Sequence, residues 1–296
     1  MSDRPLDLLV VGDADVDVYV RAPRRPGPGE KVLGQLLGVH PGGMGVNVAC
    51  AAARLGLRAG IVAAVGDDAH GRLALDHYRE LGVDARYVRQ IPTIATYVSI
   101  VTLDEAGEKS LVVADGGALF PPADLLADVD LAAARAVHLV PFDLERAIWT
   151  AEASRRAGAL VSVDLEPTMI TDRLAVTRLL QVTDLLFCNH YTALTFGETI
   201  EEGIAALRAQ GAPVVVMTAG ADGAVVHEGT DCVHVPAAPA TVVDTTGAGD
   251  CFAAGFLGAR LHGADLAAAA RTGAAVAAAA VGSIGGSAGV RPVAWT

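Results

Sequence analysis

Short runs of valine, leucine and isoleucine at 6–11, 59–65, 136–140, 159–163, 184–188 and 213–218 alternate with stretches of helical period near 46–55, 70–81, 145–157, 172–181 and 200–210. Continuous apolar strands separated by helices call for a mostly parallel sheet covered on both faces, because each crossover lays a helix across it. An α/β protein is therefore expected. Two segments break the alternation: 16–20 with 32–39, and 95–103 with 108–114, read as strands with no helix between them. The second pair is joined by the turn Asp104-Glu105-Ala106-Gly107. These pairs predict a small antiparallel β lid. No repeat, low-complexity linker or composition shift marks a second unit, so one domain over 1–296 is expected.

A hydrophobic fraction of 52% supplies ample core, and a formal net charge of −12 without basic runs works against nucleic acid or an anionic membrane as partner. Any phosphate site must then be local. Cys50, Cys188, Cys232 and Cys251 have no metal-type spacing and sit in apolar settings, so they read as buried reduced thiols in a cytoplasmic protein. The N-terminal MSDRPLDLLVVGDADVD runs into charge too soon for a signal peptide and reads as a first strand. The alanine-rich stretch from Leu266 to Val281 is broken by Arg271 and Gly273 and reads as a buried helix.

Two glycine clusters open apolar helices. In DTTGAGDCFAAGF, from Asp244 to Phe256, the spacing of Phe252, Phe256, Leu257 and Leu261 predicts a helix starting near Gly247, with Asp250 in its first turn. A helix N-terminus offers unpaired N–H groups and the positive end of the dipole, so Gly247-Ala248-Gly249 reads as an anion cradle. An ordinary loop with a first-turn acid is the competing reading. In HPGGMGVNVACAAARLG, from His40 to Gly56, Gly43-Met44-Gly45 followed by a strand and Asp67 imitates a dinucleotide fingerprint. The glycines follow a flap strand and a long loop rather than the first core strand, and Asp67 reads more simply as the cap of the helix from Gly71 to Leu81. The alternative is a loop closing over a small polar ligand, with Asn47 as donor and acceptor.

The stretches Gly42-Gly43-x-Gly45-x-Asn47 and Asp244-Thr245-Thr246-Gly247-Ala248-Gly249-Asp250 resemble the two signatures of the ribokinase-like (PfkB) carbohydrate kinases. Gly12 to Asp17, Gly29-Glu30, and Val65-Gly66-Asp67-Asp68 with Gly71 resemble further landmarks, so the resemblance covers essentially the whole chain. It implies a Rossmann-like core with a β lid, and transfer of the γ-phosphoryl of ATP to a hydroxymethyl group of a sugar or nucleoside. Asp250 would be the general base, and the amides of Gly247, Ala248 and Gly249 would hold the developing charge. Asp244 and Thr246, with backbone oxygens of the Ser283 to Arg291 loop, resemble a monovalent-cation site for K⁺, although turn capping by Asp244 is equally open.

For the nucleotide, the resemblance points to Asn189 and to Thr218, Gly220 and Gly223. The family's Asn-x-x-Glu motif is broken, because Thr192 stands at the Glu position and carries no charge with which to organise Mg²⁺. Glu166 is the candidate outer-shell substitute, unless Asp164 and Glu166 simply cap the next helix. For the acceptor, Asp15 and Asp17 occupy places resembling the family's sugar-binding residues, alongside Gly42, Gly43 and Asn47, and Asp13 lies in the same turn. Pro141 stands where a ribokinase would present an acid, which weakens a strict ribose assignment. Tyr97, Phe120 and Phe142 are candidates either for stacking on a base or for the core. The expected activity is an ATP-dependent sugar kinase, with a nucleoside kinase or a silent ligand-binding relative as alternatives. The resemblance also allows a homodimer formed through the lid.

Overall fold

The structure, a computed structural model, describes residues 4–104, 109–117 and 119–295, and every count or absence below refers to these. In chain order the first half runs β1 (Leu6–Val11), β2 (Asp15–Arg21), β3 (Gln35–Gly42), α1 (Met44–Arg54), β4 (Ala59–Gly66), α2 (Ala69–Leu81), β5 (Asp84–Ile91), β6 (Tyr97–Leu103) and β7 (Lys109–Ala114). It continues with α3 (Ala123–Ala127), β8 (Ala134–Leu139), α4 (Leu144–Arg156), β9 (Leu160–Leu165), α5 (Arg173–Leu180), β10 (Leu185–Asn189), α6 (His190–Leu194), α7 (Ile200–Ala209) and β11 (Val214–Thr218). The hairpin β12 (Ala224–Glu228) and β13 (Asp231–Val235) precedes α8 (Ala248–Leu261) and α9 (Leu266–Ala280).

The main sheet has the order β13-β12-β11-β10-β9-β8-β1-β4-β5, parallel except for the antiparallel edge hairpin. Strand order reverses at β1, which pairs with β4 on one side and β8 on the other. In such sheets a crevice opens beyond the carboxyl ends at the reversal point. Every residue of β4 is buried, as the unbroken apolar run requires. One core layer lies with α1, α8 and α9, including Val48, Phe252 and Phe256, and the other lies with α4, α5 and α7, including Ile148, Leu179 and Leu207.

The small sheet has the order β3-β2-β6-β7, with antiparallel outer pairs and a parallel central pair, β2 with β6. Strand β3 starts and ends later than the expected 32–39, because its ladder with β2 continues until Gly42 stands opposite Asp15. That register places the glycine motif beside the Asp15 and Asp17 carboxylates. The turn expected at Asp104-Glu105-Ala106-Gly107 lies largely outside the described residues, since 105–108 are not described.

Two sequence expectations are corrected. The cap of α2 is Asp68, not Asp67: it immediately precedes the helix in extended geometry and accepts from Gly71 N at 2.8 Å, while Asp67 pairs with Arg72. Asp68 also accepts from Thr96 N and Thr96 Oγ1, both at 2.7 Å, which fixes the segment entering β6. Three cysteines are buried, but Cys232 is exposed, because β13 is the edge strand of the sheet. No described helix is long and apolar enough to cross a membrane.

Candidate active site

The carboxyl ends of β1, β9, β10 and β11 and the inner face of the small sheet enclose a cavity of about 640 Å³. Its walls carry Asp13, Asp15, Asp17, Gly43, Asn47, Glu166, Asn189, Thr218, Thr246, Gly247, Ala248, Gly249 and Asp250. The two glycine motifs, about two hundred residues apart in sequence, therefore meet here, and Asn47 Nδ2 donates to Asp250 Oδ2 at 2.8 Å. Gly42 lies just behind the wall. A side chain there would run into Asp15 Oδ1 and Asp17 Oδ2, so the residue's smallness lets both carboxylates converge.

A second cleft, of about 610 Å³, lies on the far side of α8. Thr218, Gly220 and Gly223 line it together with Pro239, Val242, Phe252 and Val281 and alanines from residues 237–240 and from α9. Both spaces include Thr218, Thr245, Ala248 and Gly249, so they meet at the N-terminus of α8. No side chain caps that terminus. Its first residue outside the helix, Gly247, has φ of 72°, and a side chain there would strike the Gly286 backbone. Glycine is thus required to turn the chain into the helix with its N–H groups facing the cavities.

Asp250 is 7% exposed. Burial, and then the charge of Asp164, push its carboxyl well above the usual range, while the Asn47 hydrogen bond works in the opposite direction. Asp164 is raised to about 7, by burial and then by the neighbouring Glu166. Asp17 is likewise raised to about 7, by burial and then by Asp244. Asp172 caps α5, and Glu166, although it precedes the 3-10 turn Pro167–Met169, makes no side-chain cap bond to it; Asp164 and Glu166 both face the cavity instead. Two acids facing a phosphate-sized space suit the few carboxylates and retained waters of Mg²⁺. Thr192 contributes nothing there: fully buried, its hydroxyl donates to the Leu165 carbonyl at 2.9 Å and its backbone N–H donates to Asn189 Oδ1 at 2.9 Å, so it braces the β9 and β10 ends.

Asp244 does not line the cavity. Its Oδ1 accepts from Thr246 N at 2.9 Å and Thr246 Oγ1 at 2.7 Å, and its Oδ2 accepts from Gly285 N at 3.1 Å. It thereby ties the motif to the loop after α9, and a monovalent cation would have to draw mainly on backbone oxygens. Asp13 accepts from Met44 N at 3.1 Å and Gly45 N at 2.9 Å, which makes it the cap of α1. Tyr97 and Phe142 line the cavity, whereas Phe120 packs in the core beneath Arg146.

Sequence reading missed Lys109 and Ser99. Lys109 Nζ donates to Thr246 Oγ1 at 3.1 Å, across the cavity from its own strand, and it is the only cationic residue of the lining. Ser99 Oγ donates to Asp15 Oδ2. The alternation Tyr97-x-Ser99 on a half-buried strand was the available signal for Ser99; an isolated lysine offers none.

The model of the pfkB family of carbohydrate kinases matches residues 6–292. The chain is 34% identical over 278 residues to a nucleoside kinase of Methanothermobacter thermautotrophicus, covering 92% of this chain and 88% of that one. It is 30% identical over 259 residues to an ATP-dependent ribose-1-phosphate kinase of Halopiger xanaduensis, covering 88% and 86%. Ribokinase of Arabidopsis thaliana, solved with ribose and ATP, superposes with a TM-score of 0.82 at 27% identity over 97% of this chain and 96% of that one.

Proposed function

The chain belongs to the pfkB family of carbohydrate kinases and is an ATP-dependent kinase of sugars or nucleosides, and within that class we propose that it phosphorylates a hydroxymethyl group of a small sugar held in the acidic cavity. The observation that carries this reading is the meeting of two cavities on the uncapped N-terminus of α8, with Asp250 on the acidic side. Phosphoryl transfer asks for alignment and charge stabilisation rather than covalent chemistry. Asp250 takes the proton of the acceptor hydroxyl, held in place by Asn47. The amides of Gly247, Ala248 and Gly249 receive charge developing on the phosphoryl oxygens, and Lys109 adds a cation from the small sheet.

Thr218, Gly220 and Gly223 border the nucleotide, whose base suits the alanine-walled cleft, and Asn189 stands at the phosphate end. Asp164 and Glu166 are the residues that would hold the water shell of Mg²⁺, which when bound would supply neutralisation of phosphate charge. Asp244 and Thr246 are proposed as monovalent-cation residues on the family resemblance alone. Asp15 and Asp17, with Gly42 behind them and Gly43 beside them on the wall, anchor acceptor hydroxyls.

A nucleoside acceptor is the second reading. Leu111 and Val113 are 51% and 44% exposed yet face the cavity mouth beside Leu119, Tyr97 and Phe142, a wall suited to a flat base. On the opposite face of the small sheet, Val39, Val18, Ile100 and Val112 form a row across all four strands, with Val112 63% exposed. This is the surface on which we propose that two copies pair. The activity is tested by ADP release over pentoses, hexoses, ketoses and nucleosides with ATP and Mg²⁺. Release is expected with at least one uncharged polyol. A blank panel from folded protein that still binds ATP overturns the reading.

A further inference from the structure

A third cavity, of about 740 Å³, lies between α9 and the segment Val290 to Trp295. It takes no part in the chemistry above. Alanines and valines line most of it, and Trp295 gives it a flat wall, stacked parallel on His262 with ring centroids 4.9 Å apart and donating its indole N–H to the Leu55 carbonyl at 3.1 Å. The guanidinium groups of Arg271 and Arg291 stand on the same lining. Arg291 donates only to the Ala288 and Val290 carbonyls, both at 2.9 Å, and Arg271 has no hydrogen-bond or ion-pair partner among the described residues. The carboxylate of the lining, Asp265, is engaged as the cap of α9 and accepts from Ala268 N at 2.7 Å. In a chain of net charge −12, this is the one of the three spaces described that carries a cationic surplus. An apolar space of roughly 300–1,000 Å³ with a few convergent polar groups has the form of a small-molecule site, and arginines without an acid suit a carboxylate or a phosphate.

We propose that this cavity is an effector site for a small organic anion, a phosphate or carboxylate carried on a flat apolar body, with the anion held by Arg271 and Arg291 and the body lying along Trp295. The site stands apart from the acceptor and donor spaces and needs no turnover to be occupied. Its link to the nucleotide is α9. That helix turns Thr272, Ala275 and Val276 toward the cavity and Ala274, Ala277 and Ala278 toward the donor cleft. Between them Gly273 packs so closely that a side chain there would strike the carbonyl and ring of Phe252, and Phe252 is itself part of the cleft wall. A close-packed helix passes a displacement to its neighbours rather than absorbing it, so a ligand seated on one face of α9 alters the cleft on the other.

The test uses the full chain, isotope-labelled at nitrogen, and reads the indole N–H resonances of its two tryptophans. Trp149, half exposed on α4, is the internal control, and Trp149→Phe assigns the pair. The probes are naphthyl phosphate and naphthoate, with naphthalenemethanol and inorganic phosphate as the separate halves of the chemistry. The Trp295 signal should shift saturably with at least one naphthyl anion, which binds at least about tenfold more tightly than either half, and the tighter of the two anions identifies the phosphate or carboxylate source. Arg271→Ala and Arg291→Ala, at exposed positions, should each weaken that binding by about tenfold, with melting temperatures checking that they are folded. Calorimetry then reads ATP affinity with and without the saturating anion. A shift of about fivefold or more is expected in the parent and none in Arg271→Ala, whose ATP affinity without the anion should stay within about twofold of the parent. A Trp295 signal that does not move, equal affinity for naphthalenemethanol, binding unchanged in both arginine variants, or an ATP affinity indifferent to the bound anion overturns the proposal. ATP that binds but never yields ADP with any acceptor, with these binding results intact, counts against the kinase reading alone.

Discussion

The donor cleft and the acceptor cavity share the first turn of α8 and differ in almost everything else. Small apolar side chains from residues 237–240 and from α9 wall the cleft, and no charged side chain lines it. The cavity carries the carboxylates of Asp13, Asp15, Asp17, Asp164, Glu166 and Asp250. A nucleotide base is recognised by a flat apolar slot and its phosphates by a helix terminus, so the cleft needs shape more than charge. An acceptor made of hydroxyl groups needs fixed hydrogen-bond acceptors, and burying these raises their pKa values, so the cavity is sensitive to pH where the cleft is not.

The sharpest way to break this division is Asp250→Asn. Turnover should fall by about 10²–10⁴-fold while ATP affinity stays within about twofold, as measured by initial rates and nucleotide calorimetry. Loss of ATP binding would mean that the two spaces are not separable at α8. The complementary change is Ala278→Leu, which narrows the cleft from a half-buried position on α9. The ATP KM should rise by about tenfold with the acceptor KM unchanged, and a matched rise in both would erase the distinction.

A smaller effect follows from pH. Asp17, raised to about 7, is charged above that pH and increasingly protonated below it. The acceptor KM should therefore fall by up to about tenfold between pH 6 and 8 with the ATP KM flat, and Asp17→Asn should abolish the trend. Stability runs the other way. A carboxyl whose folded-state pKa lies above its unfolded value near 3.9 binds a proton in the native state that the unfolded chain releases. Its contribution is greatest below pH 4 and is lost as pH rises to about 7, and Asp164 acts in the same direction. Urea melts at pH 5 and pH 8 should show a smaller difference in Asp17→Asn than in the parent protein.

Much of this architecture is legible from local pattern. Unbroken apolar runs marked the parallel strands to within a few residues, because burial on both faces leaves no room for polar positions. Strand β5 and the β12–β13 hairpin were not anticipated. Edge strands are half exposed, so DARYVRQI and DCVHV mix charged and apolar residues without a clear period.

The glycine motifs likewise announced helix termini at Gly43 and Gly247, since the residues that permit a tight turn and close approach lie next to one another in the chain. Which terminus would be left open was settled by residues far away. Asp13, thirty-one positions before Met44, closes the first, and nothing comparable reaches the second. Sequence pattern chose Asp67 as the cap of α2, and backbone geometry gave the role to its neighbour Asp68. Thr192 looked like a lost metal ligand until packing gave its hydroxyl the Leu165 carbonyl. Local sequence encodes which dihedral angles and which buried face a segment can accept; it carries no record of who faces it after the chain closes. The bond from Asn47 to Asp250, spanning 203 residues, and the reach of Lys109 to Thr246, spanning 137, exist only because the sheet, two helices and the small sheet bring those atoms together.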